Sequence, residues 1–262
     1  MMTLSETQIF WVTFTLIGGG VFVLMACGAF LGYAAAQRSQ IPSIQTPGTQ
    51  TPSTGLLNRV RSDAHWYLLG LIAFWFAAAL ATSQAGPLDF RAIAFFAFIP
   101  IVGGTLLSFT PPLKDLIRAI PTHWLIYAQF YRVLGALFIF PYMTDGLLTR
   151  GFALNAGIGD VITGVLALPI AWLVLRGGER YKWVFVAWTA FGILDLIVAP
   201  ASAAIFGFET SGAQPGFPIT TIPLFFGPPF GILIHIITLR NFWLRQVPSS
   251  VNSSSVAASF KS

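Results

Sequence analysis

Five side chains set in apolar surroundings could carry chemistry in this chain: Gln129, Arg132, Asp160, Asp195 and His235. The stretch from Thr122 to Met143, THWLIYAQFYRVLGALFIFPYM, is long and apolar enough to cross a bilayer, yet Arg132 stands at its middle with Gln129 one turn earlier. An arginine in hydrocarbon costs roughly 3 to over 10 kcal/mol, so it requires a partner or water. Asp160, Asp195 and His235, each in another hydrophobic run, are the partners on offer.

The spacing to tryptophans at the ends of these runs gives a common ruler. Trp124 to Arg132 and Trp243 to His235 are eight residues each, about 12 Å of helix. Trp172 to Asp160 and Trp183 to Asp195 are twelve each, about 18 Å. The four ionisable groups are therefore expected within roughly 6 Å of one depth. Pairing would neutralise charges that no single helix tolerates. Two carboxylates beside one arginine cannot easily both stay ionised, and the one that keeps a proton is suited to proton exchange.

Three functions are compatible with such a centre. The first is a transporter or sensor of a small molecule or ion, in which Arg132 holds an anion or pairs an aspartate and Asp160 exchanges a proton or cation. The second is a structural membrane subunit or scaffold whose ion pairs fix helix packing. The third is an intramembrane hydrolase using Asp160 and Asp195, because Gly157-Ile158-Gly159-Asp160 matches the G-x-G-D signature of intramembrane aspartyl proteases. Against the hydrolase, Asp195 follows that motif rather than preceding it, and no Pro-Ala-Leu motif is present.

His235 has no second histidine three or four residues away, which fits a packing role better than a ligand. His65 and His123 sit at span ends, and no spacing supports a metal or haem, so no cofactor is expected. A retinal Schiff base needs a lysine inside a helix, and none of Lys114, Lys182 and Lys261 is placed mid-span.

The composition gives the setting. Of 262 residues, 55% are hydrophobic and 9% charged, with mean hydropathy +0.76, against about 25% charged in soluble domains. No ten-residue alternation points to a membrane barrel. The expected class is all-α, a polytopic seven-transmembrane-helix bundle. The net charge of +5 is spread thinly over loop ends, leaving no basic stripe for nucleic acid. Cys27 is the single cysteine, which excludes an internal disulfide. The N-terminal MMTLSETQIF lacks the basic region of a signal peptide, so a retained first helix is expected.

Seven spans are read at about 9–36, 65–83, 90–110, 123–143, 155–176, 182–205 and 219–243. Residues 1–245 then form one transmembrane domain, with a flexible cytoplasmic loop at 37–64 and a disordered cytoplasmic tail at 246–262. Gly28-x-x-x-Gly32 in the first span suits close helix approach. Pro218, Pro223, Pro228 and Pro229 are expected to break the start of the seventh span, and Pro100 and Pro200 to bend the third and sixth. Eleven lysines and arginines fall in the loops after odd-numbered spans and in the C-terminal tail, against Arg91 and Arg150 on the other side. That asymmetry places the N-terminus outside and the C-terminus in the cytoplasm of an inner-membrane, multi-pass protein. Its expected partners are the lipid bilayer and a small-molecule or ion ligand, in an oligomeric state that these signals do not specify.

Several of these residues form a recognisable set: Gln129-x-x-Arg132-x-x-Gly135, Gly159-Asp160, Phe217-Pro218, Ile222-Pro223, Pro228, His235 and Leu239-Arg240. The set resembles a widespread group of uncharacterised bacterial multi-pass membrane proteins, over roughly residues 120–245. The resemblance implies that Gln129, Arg132, Asp160 and His235 belong to one shared arrangement. It carries no activity, and Asp195 is not part of it.

Overall fold

A face of alanine and glycine on one long helix sets how the others pack. The computed structural model describes residues 52–84, 90–208 and 227–246, together with Gly28 and Gly32. The described residues are all-helical, with no β-strand. In chain order they form α1 (Pro52–Gln84), α2 (Phe90–Ser108), α3 (Pro111–Ala119), α4 (Thr122–Ala128), a 3-10 segment (Gln129–Gly135), α5 (Ala136–Asp145), α6 (Arg150–Gly177), a 3-10 turn (Gly178–Tyr181), α7 (Lys182–Phe206) and α8 (Pro228–Gln246).

The helix α6, 28 residues long, touches α4, the 3-10 segment, α5 and α7. Its buried positions include Ala153, Ala156, Gly157, Asp160, Thr163, Gly164, Ala167 and Ala171, recurring every three or four residues as one helical stripe. Small residues there let neighbouring backbones come close enough for van der Waals contact to replace bulky side chains. At Gly164 the approach is closest to main chain: a Cβ would lie 2.8 Å from Val133 N and 3.2 Å from the Arg132 carbonyl carbon.

Thr149 caps α6, its hydroxyl accepting from Phe152 N at 3.4 Å. The chain turns back after α6 at Gly178, whose φ of 44° is left-handed. The returning α7 runs antiparallel to α6, with Asn155 Nδ2 donating to Ser202 Oγ at 3.1 Å and Trp188 Nε1 donating to the Thr163 carbonyl at 3.1 Å. The last helix, α8, packs on α2, α7, α3 and α4. Leu233 fills the space over Gly104 of α2, and Asn241 Nδ2 donates to the Ile120 carbonyl at 2.8 Å.

Several expectations need correction. The fourth span is not one continuous α-helix, since 3-10 turns interrupt it from Gln129 to Gly135. The loop expected at 37–64 is helical from Pro52 onward. Between the third and fourth spans the chain forms α3, which buries Leu116 and Ile117 and keeps Arg118 exposed. Pro228 and Pro229 do not break a helix; they open α8, where the missing N–H is harmless. Among the described residues one helical stretch, Arg150–Phe206 (57 residues, comprising α6, the turn and α7), is long and apolar enough to cross a membrane by length and composition. Trp66–Thr82 and Phe98–Ser108 are shorter apolar helices. Of the first predicted span only Gly28 and Gly32 are described, both helical. Pro218, Pro223 and nearly all of the predicted tail lie outside the described residues.

The contact at Gly164 yields a test. The peptide unit facing it is backbone and cannot rotate away, so Gly164→Ala is expected to destabilise the fold by about 1–3 kcal/mol through overpacking. Gly103→Ala, whose Cβ would meet no described atom within 4 Å, is expected to be neutral or slightly stabilising by helix propensity. Thermal unfolding of both variants in detergent checks this.

Candidate functional site

The 3-10 geometry decides which side chains of residues 129–135 face inward. With three residues per turn, positions i and i+3 eclipse one another. Gln129, Arg132 and Gly135 therefore line one stripe, and all three are buried. A regular α-helix would rotate each of them away from the last by about 60°. The spacing of three in Gln129-x-x-Arg132-x-x-Gly135 is thus the sequence signature of the segment's inner face.

Arg132 projects from that stripe and is only 2% exposed. Asp160 Oδ1 of α6 accepts from Nε and from Nη2, each at 2.7 Å. Nη2 also donates to Asp195 Oδ2 of α7. Nη1 donates to the Gly192 carbonyl at 3.0 Å and meets Nε2 of His235, on α8, at 3.3 Å. All five N–H groups of the guanidinium are thereby matched with acceptors. For Nη1 to donate to it, Nε2 of His235 must carry the lone pair, which puts the imidazole proton on Nδ1.

Glycines make room for these charged groups. A Cβ on Gly135 would meet the Asp160 carboxyl, and one on Gly159 the Asp195 carboxyl. At Gly192 it would run into the His235 ring and lie 3.0 Å from Arg132 Nη1. Each is a close approach that no larger residue permits without moving a charged group. Trp188 completes the enclosure, its ring centroid 5.0 Å from that of His235 and its Nε1 on the Thr163 carbonyl.

Of the five predicted residues, Arg132, Asp160, Asp195 and His235 meet in one cluster fed by four separate segments. Gln129 is not hydrogen-bonded to it among the described residues: its Nε2 donates to the Gly231 carbonyl at 3.1 Å, tying the 3-10 segment to α8. Asp195, outside the set carried by the resemblance, also contacts the guanidinium, through Nη2. His123 lies apart, edge-on to Trp124 and Tyr127. Among the described residues no group of three or more His, Cys, Asp or Glu is placed to hold a metal ion.

Gly192, Trp188, Thr163 and Thr189 were not singled out in the sequence. Gly192 was legible in part, since it stands one turn before Asp195. The others were not, because a tryptophan or threonine in an apolar run reads as packing. The Oγ1 atoms of Thr163 and Thr189, Nδ1 of His235, Oε1 of Gln129 and Oδ1 of Asn241 are buried with no hydrogen-bond partner among the described residues.

Residues 89–243 match a domain of unknown function, DUF8737. The chain belongs to that family. The matched region runs from α2 into α8 and holds every residue of the cluster, whereas α1 precedes it. No curated protein and no solved structure matches the chain.

Removing the arginine would leave two buried carboxyls without their shared partner. Arg132→Met is expected to cost about 3–5 kcal/mol. Adding Asp160→Asn and Asp195→Asn to it is expected to recover part of that loss. Arg132→Lys offers three donors for five acceptor contacts and is expected to fall between wild type and Arg132→Met. Chemical unfolding in mixed micelles measures all three.

Proposed function

We propose that the chain is a multi-pass membrane protein that takes up and releases a proton, or a small cation in its place, at the carboxyl pair Asp160 and Asp195. The observation that carries this reading is the second aspartate on one guanidinium. A structural pin needs only one carboxylate to neutralise Arg132. With two, the unit is neutral only when one carboxyl also holds a proton or a cation. A group that gains and loses that particle with little rearrangement is what a proton- or cation-coupled transporter or sensor requires.

The membrane setting rests on inverted polarity. The exposed side chains of α6 and α7 include Ile158, Ile162, Val165, Leu168, Leu194, Ile197 and Ile205, while Arg132 and both aspartates are buried. A contiguous apolar exterior around a charged interior suits hydrocarbon rather than water. Aromatic and basic residues mark one end of the bundle: Arg176 lies over the Trp172 ring at 4.7 Å, Lys182 over Trp183 at 5.8 Å and Arg240 over Phe109 at 4.4 Å. Such pairs fit a headgroup belt. On this reading the chain crosses the inner membrane seven times, with its N-terminus outside and the basic end in the cytoplasm.

A scaffold role is favoured by one specific feature, the complete matching of the guanidinium donors. That feature leaves Arg132 no N–H for an external anion, so within either reading the arginine is a fixed counter-ion rather than an anion receptor. The hydrolase is supported least. Nη2 of Arg132 is in contact with both carboxyls that it would use.

Proton movement into proteoliposomes carrying an entrapped pH-sensitive dye, driven by an imposed pH gradient or potential, separates the two. Asp160→Asn and Asp195→Asn are each expected to slow it by about a hundredfold while the thermal unfolding midpoint shows the protein folded. Wild-type flux in both folded variants would leave the scaffold reading in its place.

A further inference from the structure

We infer that the inner face of α8 lines a hydrated path joining the Asp160–Asp195 carboxyl pair to the end of the bundle marked by Arg240, and that the proton reaches the pair along it. This rests on the proton-exchange reading above and adds the route. His235, Thr238 and Asn241 recur at three-residue intervals along α8, and all three are buried. The register of α8 on antiparallel α7 is fixed by Leu196 at Gly231, Gly192 at His235 and Phe185 at Phe242. It places Thr189 opposite Thr238, one turn beyond the guanidinium. Thr163, held by Trp188, stands at the same level on α6.

Thr238 Oγ1 donates to the Ile234 carbonyl at 2.6 Å, whereas the other side chains of the file are not completed by protein partners among the described residues. Thr163 Oγ1, Thr189 Oγ1, His235 Nδ1 and Asn241 Oδ1 come from three helices and have no hydrogen-bond partner among the described residues. Buried polar atoms in such numbers are matched by ordered water, each molecule making about three hydrogen bonds. Successive polar levels on α8 are about 4.5 Å apart by rise and turned by about 60° from one another, so waters rather than direct contacts join them, and the hydroxyls of α6 and α7 stand between the levels. The file ends where Asn241 Nδ2 bonds the Ile120 carbonyl and Arg240 Nη1 bonds the Ser108 carbonyl at 2.7 Å. Hydroxyl and water pass a proton by exchanging hydrogen bonds, each donating to one neighbour while accepting from the other, and Thr163 stands one turn from Asp160 on α6. His235, whose Nε2 accepts from Arg132, lines the path without relaying.

The test uses the full-length protein in proteoliposomes with the same dye readout. Thr163→Val and Thr189→Val keep side-chain shape and remove the hydroxyls, and each is expected to slow proton movement by about tenfold or more. Thr189→Ser, which restores the hydroxyl, is expected to return most of the flux. Thr105→Val, which removes a buried unpartnered hydroxyl on α2, is expected to leave flux unchanged. Should Asp195→Asn stop flux while folded Thr163→Val and Thr189→Val proteins conduct like wild type, the route is wrong and the carboxyl centre stands. Flux unaffected by Asp195→Asn would overturn both. If Thr189→Val fails to fold, Thr163→Val and Thr189→Ser carry the same decision: wild-type flux in the first overturns the route, and slowed flux in the first with preserved flux in the second supports it.

Discussion

A guanidinium enclosed by apolar helices must have every N–H matched, because each one left bare would cost more than a typical contact returns. Arg132 meets that requirement by drawing acceptors from three other helices: a carboxyl from α6, a carboxyl and a carbonyl from α7, and an imidazole from α8. Much of the surrounding architecture follows. The 3-10 segment aims the side chain inward, the alanine–glycine face of α6 lets that segment sit against it, and Gly192 leaves space for the His235 ring. A larger residue at any of these points would separate the arginine from one of its acceptors.

The same cluster links packing to chemistry. One arginine with one aspartate would be a neutral, inert fastener. The second aspartate adds a charge that the fastener does not need, and on the proposed function its counterweight is a mobile cation, of which the proton is the smallest. A segment of 3-10 turns inside a longer helix belongs in this picture, since such stretches often mark a hinge or a sequence under strain. On the proposed function, gain or loss of one particle at the carboxyls would act on the segment that carries Arg132, through the contacts that hold it.

Much of this was readable before any coordinates. The tryptophan ruler put Arg132, Asp160, Asp195 and His235 at one depth because helical rise is nearly constant, and ruler and structure agree in bringing them together. The all-helical class followed from composition. What escaped was set by local geometry. The 3-10 turns at 129–135 differ from an α-helix by a fraction of a residue per turn, too little for hydrophobic periodicity to resolve in seven residues. Gln129 was joined to Arg132, Asp160 and His235 by the family resemblance, yet its amide reaches Gly231 instead. Pro228 and Pro229 looked like breakers because proline signals a boundary without saying on which side the helix lies. Thr163 and Thr189 were invisible, since what sets them apart is that their hydroxyls have no hydrogen-bond partner among the described residues.

The central claim is that Arg132, Asp160 and Asp195 form one neutral unit holding a single proton between two carboxyls. Infrared spectroscopy of the protein in lipid bilayers, with and without carbon-13 label at the aspartate carboxyls, reads that proton directly. The account predicts a carboxylic-acid C=O band at neutral pH that shifts with the label and changes or disappears in Asp160→Asn and Asp195→Asn. A spectrum in which every aspartate is an ionised carboxylate, with no acid band sensitive to either substitution, would contradict it.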